Sequence, residues 1–197
     1  MARITSVVTP ERFKQGLTYK DFIAQINVNK DRFEQYYGTA KDVISPEDAA
    51  FLKEAAQKPG GAARVLVLGE DWCPDVYRGM PLIARIAESA GMEMRVFPRD
   101  ANLDIMNEFL NRGEYQSIPT VVFYTADQEY LCHWIERPAL AHKEQAEIDR
   151  KIEQEMAGQD EREVRRARRD LVNARFPEWQ RASVGEIREM LAQALGS

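Results

Sequence analysis

The sequence predicts an α/β fold built on a mixed four-stranded sheet, with helical regions before and after it. The first observation is that short apolar runs, such as 65–68, alternate with longer segments of helical periodicity, such as 74–90. This alternation indicates parallel strands joined by helices. The second observation is that the strand-like runs 121–124 and 129–135 are separated by a short turn. A short turn joins antiparallel strands, so the sheet is expected to be mixed.

The central region predicts the element order β-α-β-α-β-β. Residues 65–68 form a continuous apolar run, which is typical of a buried parallel strand. A helix is predicted over 74–90, where Leu82, Ile83 and Ile86 share one face. The remaining elements are predicted as a strand at 92–97, a helix at 102–112 closed by Gly113, and strands at 121–124 and 129–135.

The N-terminal region predicts short helices that pack on the central sheet. Thr18, Asn29 and Ser45 each precede a short helical pattern and are good N-cap residues. Pro59-Gly60-Gly61 then ends the last of these helices. We therefore expect an N-terminal helical extension at 1–60 and a core at 61–138.

The C-terminal region at 139–197 predicts charged helices. More than half of residues 143–170 are charged, and a thin apolar stripe that includes Ile148, Ile152 and Val164 runs through them. We expect Phe176-Pro177 to break the helical pattern before a last helix at 184–195. The stripe could also dock on a second subunit, which would make this region a homodimerisation element.

Composition excludes several classes of protein. The net charge is −5, and the chain has two cysteines and two histidines. Two cysteines cannot build a secreted disulfide scaffold, and two separated histidines predict no metal site. The sequence shows no signal peptide and no membrane-spanning run, so we expect a cytoplasmic protein without a membrane partner. The arginine-rich run 162–169 has acidic neighbours and no aromatic residues, which favours a solvated helix over a nucleic-acid site.

Cys73 is the candidate functional residue. It lies where the first predicted strand meets the following helix, and Pro74 suits the first helical position. Backbone N–H groups and the positive end of the dipole at a helix start favour a thiolate, which is the nucleophilic form of cysteine. The carboxylates of Glu70, Asp71 and Asp75 would oppose it, while arginines such as Arg78 or Arg99 would support it.

Two motifs carry a resemblance to a known family. Trp72-Cys73-Pro74-Asp75 after a buried strand, with Ser117-Ile118-Pro119-Thr120 before another, resembles the thioredoxin family. Three further segments look like a bacterial branch of uncharacterised thioredoxin-like proteins, namely 70–73, 97–100 and 134–138.

The resemblance implies a thioredoxin-like fold and a site around Cys73. It implies a cis peptide bond before Pro119, with Pro119 facing Cys73 and the backbone of Ile118 pairing with an extended substrate. Cys73 is then the catalytic position, and the substrate-binding residues are expected to be Trp72, Pro74, Asp75, Ile118 and Pro119.

The sequence departs from the family at Val76. Redox-active thioredoxins carry a second, resolving cysteine there, one helical turn from the first. Valine can fill the site but cannot release a mixed disulfide, so autonomous dithiol exchange is excluded. Cys132 cannot replace the resolving cysteine. The predicted sheet places another strand between the Cys132 strand and the Cys73 strand, and two strand spacings of about 4.8 Å are too far apart for a disulfide. We expect Cys132 to be a buried, small apolar residue.

Two functions follow from a single thiol. In the first, Cys73 attacks a protein disulfide and forms a mixed disulfide, or it forms another adduct with a protein thiol substrate. An external small thiol such as glutathione then resolves the product, as the co-reductant. In the second, the chain is a non-catalytic binding module that uses the groove beside Trp72 and Pro119, or its charged C-terminal region.

Overall fold

The computed structural model describes residues 6–196 and contains one four-stranded sheet with helices packed around it. The strands are β1 (Arg64–Gly69), β2 (Glu93–Pro98), β3 (Thr120–Tyr124) and β4 (Tyr130–Ile135). The helices are α1 (Pro10–Lys14), α2 (Tyr19–Gln25), α3 (Lys30–Ala40), α4 (Pro46–Gln57), α5 (Pro74–Ala90), α6 (Leu103–Met106), α7 (Ala139–Glu155) and α8 (Glu161–Leu195).

The sheet has the strand order β2-β1-β3-β4. β1 runs parallel to β2 and antiparallel to β3, and β3 runs antiparallel to β4. The predicted mixed α/β sheet of a thioredoxin-like fold is therefore confirmed. Val65 to Leu68 of β1 are completely buried, because this strand has a neighbour on both sides and helices packed on it.

The main hydrophobic core joins the N-terminal helices to the sheet. Phe13, Phe22 and Phe33 belong to the same buried cluster as β1 and β3. Phe33 lies edge-on to Phe22 and to Tyr77 of α5, with ring centroids 5.7 and 6.4 Å apart. Phe22, Phe33 and Tyr77 thereby fix α2 and α3 against α5, the helix that follows the candidate site.

Residues 16–17, just before α2, also reach the outer edge of β2. Leu17 and Val96 exchange two backbone hydrogen bonds of 2.9 and 2.8 Å. Gly16 makes this approach fit, since a Cβ there would lie 2.4 Å from the ring of Phe97. The segment 16–17 therefore lies on β2 as a short antiparallel addition.

Helices α7 and α8 pack on each other around a smaller cluster. The predicted stripe supplies this contact, since Ile148 and Ile152 of α7 pack with Val172 and Trp179 of α8. Glu186 of α8 ties the pair to the sheet by accepting hydrogen bonds from Trp134 Nε1 (3.0 Å) and from the Ala139 N–H (2.6 Å). A homodimer through these helices stays a prediction.

The exposed arginines of α8 pair along the helix as predicted. Arg165 contacts Glu161 at 2.9 Å, and Arg166 contacts Asp170 at 3.9 Å. Along residues 6–196, every helix is too short or too polar to cross a bilayer.

The predicted helix 102–112 is wrong in length. Helix α6 ends at Met106, and Asn111 and Tyr115 instead exchange backbone hydrogen bonds of 2.8 and 3.0 Å. Asn102 does not cap α6 with its side chain, which contacts the Pro98 carbonyl and Arg12 instead. Backbone turns over 107–115 therefore replace the second half of the predicted helix, and the apolar pattern did not reveal them.

The predicted break at Phe176-Pro177 is also wrong. Helix α8 continues through Pro177 to Leu195, although proline cannot donate a hydrogen bond to the preceding turn. Phe176 packs edge-on against Tyr36 at 4.9 Å, and Trp179 is buried. These contacts on both sides of Pro177 hold the helix together.

Candidate functional site

Cys73 lies in the turn between β1 and α5, as predicted. It occupies the N-cap position of α5, and Pro74 follows at the first helical position. The peptide bond between Ile118 and Pro119 is cis. Cys73 Sγ donates a hydrogen bond to the Ile118 carbonyl oxygen over 3.7 Å, so Cys73 and the Ile118-Pro119 bond come together across 45 residues of sequence.

Val76 fills the position one turn after Cys73. Its side chain is completely buried in the main core. A Cβ at Gly69, at the end of β1, would lie 2.8 Å from Val76 Cγ1, so the valine packs directly against the strand. The place of a resolving thiol is therefore occupied by an apolar side chain in van der Waals contact with its surroundings.

The surroundings of Cys73 favour the protonated thiol. The residue is only 9% exposed, and this burial is the main cause that raises its pKa. The backbone N–H groups of Val76 and Asp75 lower the pKa, while the carboxylates of Asp75 and Glu136 raise it. Over the described first turn of α5, no backbone N–H forms a capping hydrogen bond with the Cys73 side chain. Burial and the two carboxylates therefore outweigh the N–H groups at the helix start, and the net effect is a raised pKa for Cys73.

Asp75 forms an ion pair instead of facing solvent. Its Oδ2 lies 2.8 Å from an Arg137 guanidinium nitrogen, and both side chains are about one quarter exposed. Burial raises the pKa of Asp75, and Arg137 partly opposes this effect. Arg137 also donates to Gln145 Oε1 at 3.1 Å, which links the Cys73 turn to α7. The expected role of Asp75 in substrate binding stays a prediction.

Exposed aromatic side chains flank the Cys73 turn. Trp72 is 51% exposed, and the guanidinium of Arg99 lies 5.3 Å from the centre of its ring. Arg99 donates to the Gln116 carbonyl at 3.2 Å, next to Tyr115, which is 57% exposed. Arg99 therefore connects Trp72 to the segment that leads into Ile118 and Pro119. Neither Arg99 nor Tyr115 stands in a pattern that predicts a binding surface, although the segment 97–100 carries part of the family resemblance.

Asp71 holds the N-terminal region beside the site. Its Oδ2 accepts hydrogen bonds from the N–H groups of Asn27 (2.9 Å) and Val28 (3.2 Å). Asn29 does not cap α3 with its side chain as predicted, because it adopts a left-handed conformation and donates to the Asp71 carbonyl at 2.9 Å. Val28 remains exposed next to this turn. Residues 27–29 are therefore a third side of the surface around Cys73.

Glu70 also supports the backbone. Its Oε1 accepts a hydrogen bond from the Asp100 N–H at 2.8 Å, and burial raises its pKa. The acidic residues before Cys73 thus hold neighbouring segments in place.

Cys132 is separate from this site. It lies on β4, and β3 stands between β4 and β1. Both cysteines are free, and Cys132 is half-buried where full burial was expected, because β4 is an edge strand. Burial raises its pKa to about 12. Within residues 6–196, no three His, Cys, Asp or Glu side chains are grouped as a metal ion would require.

Comparison with known proteins gives a family and a fold. A family model described as Thioredoxin matches residues 16–163. A crystal structure of a protein of unknown function from Pseudomonas aeruginosa is similar, with a TM-score of 0.66 and 14% identity, over 95% of this chain and 99% of that one. The crystal structure of an HIV epitope scaffold is similar with a TM-score of 0.63 and 15% identity, over 96% and 99%. No curated protein matches the chain.

Proposed function

The chain belongs to the thioredoxin family, and from this premise we propose that it binds an extended protein segment beside Cys73 without reducing disulfides on its own. The observation that carries the proposal is the state of the thiol. Cys73 is buried, and its thiol donates a hydrogen bond to the Ile118 carbonyl oxygen. Burial and the carboxylates of Asp75 and Glu136 raise its pKa. The apolar side chain of Val76 occupies the position of a resolving thiol. Because its pKa is raised, this thiol stays protonated at neutral pH. In the reducing cytoplasm, where we expect this chain to act, it also stays reduced.

The surface around Cys73 supports binding. Trp72, Tyr115 and Val28 are exposed apolar side chains at its edges, and large aromatic side chains contribute strongly to protein interfaces. Ile118 lies two residues before Thr120, the first paired residue of β3, so its backbone is outside the sheet ladder, although the residue as a whole is only 5% exposed. An extended segment could pair with that backbone and cover Trp72. The partner is therefore expected to be a protein segment with an apolar side chain for Trp72.

A peptide-binding experiment tests the proposal. A library of random linear peptides is selected on the full chain, and the selected peptides are titrated by fluorescence polarisation. We expect Trp72→Ala to weaken binding by about tenfold or more, because it removes a central aromatic contact. Arg165→Ala on α8 is the control and should leave affinity unchanged. Selected peptides that bind Trp72→Ala as tightly as the wild type would contradict the proposal.

A second candidate function is single-thiol exchange. The N–H groups of Asp75 and Val76 favour it, because they lower the pKa of Cys73. In this reaction the Cys73 thiolate attacks a substrate disulfide, forms a mixed disulfide and releases one substrate thiolate. A glutathione thiolate then attacks the Cys73 sulfur, which releases the second substrate thiolate and leaves Cys73 joined to glutathione. A second glutathione frees Cys73 and leaves as glutathione disulfide.

The pH dependence of Cys73 alkylation separates the two functions. It is measured in Cys132→Ser, with glutathione-dependent reduction of a small disulfide as the second assay. The binding function predicts a thiol that titrates above the ordinary value of about 8.5, with no turnover. Titration well below that value together with turnover would establish exchange and refute the proposal that the thiol is inactive.

A further inference from the structure

Glu136 lies in a strained turn between β4 and α7, beside the candidate site. Its φ of +61° is in the left-handed region. The Arg137 N–H donates to the Ile135 carbonyl at 2.9 Å, and this bond closes a γ-turn around Glu136. Glycine adopts a positive φ freely, whereas glutamate does so at a cost in stability. Backbone strain of this kind concentrates at binding and catalytic sites, so it directs attention to the Glu136 side chain.

The Glu136 carboxylate lies against the segment that carries the cis bond. The Glu136 N–H donates to the Pro119 carbonyl at 2.7 Å. Asn111 Nδ2 donates both to Glu136 Oε2 at 3.3 Å and to Ser117 Oγ at 3.2 Å, so the carboxylate lies beside Ser117. The Glu136 side chain is 21% exposed, so it also reaches solvent.

The Glu136 carboxylate keeps unused hydrogen-bond capacity. An ionised carboxylate can accept about four hydrogen bonds. Within residues 6–196, that of Glu136 accepts one, the 3.3 Å bond from Asn111. Arg137 Nη2 lies 3.8 Å from Glu136 Oε1, beyond hydrogen-bond distance, and the same nitrogen lies 2.8 Å from Asp75 Oδ2. Arg137 therefore pairs with Asp75, and Glu136 has acceptor positions left for a ligand.

The surface around Cys73 carries an excess of negative charge. This surface, the Cys73 surface, consists of the segments 27–29, 70–79, 97–100, 111–119 and 134–138. Together they contain six carboxylates and four arginines, which gives a net charge of −2. Glu70 and Asp71 accept hydrogen bonds from uncharged backbone N–H groups, so these bonds leave their charges in place. A positively charged partner complements such a surface.

We propose that Glu136 selects the partner of the Cys73 surface by pairing with a lysine or arginine side chain of the bound segment. This inference rests on the function proposed above and adds a basic residue to the apolar one expected at Trp72. Because β3 stands between β1 and β4, the Ile118-Pro119 bond lies between Trp72 and Glu136. A segment that pairs with the Ile118 backbone is therefore within reach of both side chains.

Peptide selection tests the choice of partner. The same library of random linear peptides is selected on the wild type and on Glu136→Gln, which removes the charge and keeps the shape. In the wild-type peptides we expect lysine or arginine at a fixed distance from the apolar position. We expect no such enrichment on Glu136→Gln. Equal enrichment on the two proteins, or none on the wild type, would contradict the proposal.

A double-mutant cycle measures the pair itself. One basic peptide selected on the wild type is titrated by fluorescence polarisation beside a version with glutamine at the basic position. We expect Glu136→Gln to weaken binding of the basic peptide about fivefold and to leave that of the glutamine version unchanged. Glu93→Gln is the matched control and should change neither affinity, because Glu93 pairs with Arg95 at the opposite end of the sheet.

Glu136→Gly separates partner selection from a structural role. We expect glycine to relieve the γ-turn and to raise the thermal midpoint by about 2–4 °C, while it weakens the basic peptide as much as Glu136→Gln does. Gln128→Gly, at another residue with a positive φ (+68°), should leave the affinity unchanged. An unchanged affinity or a lower midpoint for Glu136→Gly would overturn the proposal.

Trp72→Ala distinguishes this inference from the proposed function. If the selected peptides bind Trp72→Ala as tightly as the wild type, the proposed function itself is wrong. If Trp72→Ala weakens the basic peptide and Glu136→Gln does not, only the role of Glu136 is wrong.

Discussion

The two cysteines of this chain carry the same chemical group in two different parts of one sheet. Cys73 stands at the junction of β1 and α5, contacts the Ile118 carbonyl and lies beside exposed aromatic residues. Cys132 lies within the edge strand β4, and burial alone raises its pKa. Cys132 is the more exposed of the two, yet burial raises its pKa to about 12, because no neighbouring charge or N–H group is among the causes that offset burial there. The pKa of a thiol in this fold therefore depends on its neighbours as well as on its exposure.

The largest effect is expected from Val76→Cys. The new thiol would lie one turn from Cys73 on the same face of α5, so we expect a disulfide between them and a gain of insulin reduction. Cys73→Ser combined with Val76→Cys is the control and should be inactive. A folded Val76→Cys protein whose two thiols never pair would show that the start of α5 is wrongly placed.

The next largest effect is a difference in alkylation rate between the two cysteines. At pH 8 we expect iodoacetamide to modify Cys132, measured in Cys73→Ser, about tenfold or more slowly than Cys73, measured in Cys132→Ser. The reason is that burial raises the pKa of Cys132 to about 12, whereas the N–H groups of Val76 and Asp75 partly offset the burial of Cys73. Both thiols should react at the same rate in denaturant. If Cys132 reacted faster than Cys73 in the folded protein, accessibility and not pKa would control alkylation, and the expected difference between the two thiols would be wrong.

Alkaline stability provides a thermodynamic version of the same comparison. The pKa of Cys132 is higher in the folded protein than in the unfolded chain, so its contribution is fully present below about pH 8.5 and is lost as the pH rises toward 12. When the pH is raised from 9 to 10, the free energy of unfolding should fall in both proteins. We expect the fall to be about 1 kcal/mol smaller in Cys132→Ala than in the wild type. Urea unfolding at the two pH values measures this difference. Equal losses in both proteins would show that the folded thiol titrates normally.

The smallest effect is expected from Asp75→Asn. Removing this carboxylate lowers the electrostatic cost of the Cys73 thiolate, so alkylation of Cys73 at pH 8 should become about threefold faster. Asp127→Asn, in the exposed turn between β3 and β4, should change nothing. A rate for Asp75→Asn equal to that of the wild type would mean that Asp75 does not control the thiol.

Local signals predicted the elements that local interactions determine. Ser45 caps α4 and Thr18 caps α2 through side-chain hydrogen bonds, and α5 has the predicted bounds from Pro74 to Ala90. The prediction failed at Pro177, where Phe176 packs against Tyr36 of the distant helix α3 and α8 continues. It also failed at 107–112, where the backbone pairing of Asn111 with Tyr115 replaces helical turns.

In the candidate site, too, some contacts were predicted from the sequence and others were not. The motifs around Cys73 and Pro119 predicted which residues meet, because their order along the chain matches the element order. The ion pair between Asp75 and Arg137 spans 62 residues, and the contact between Asp71 and Asn27 spans 44. No spacing in the sequence predicts these two pairs, because they depend on how the helices and turns pack in three dimensions.

The short pairing between Leu17 and Val96 has a consequence for self-association. An edge strand offers unpaired backbone groups to other molecules and can seed ordered aggregates. Both backbone groups of Val96 on that edge are already used by Leu17. A second molecule that added a strand to β2 would first have to detach residues 16–17, so the N-terminal segment protects this edge of the sheet against intermolecular strand pairing.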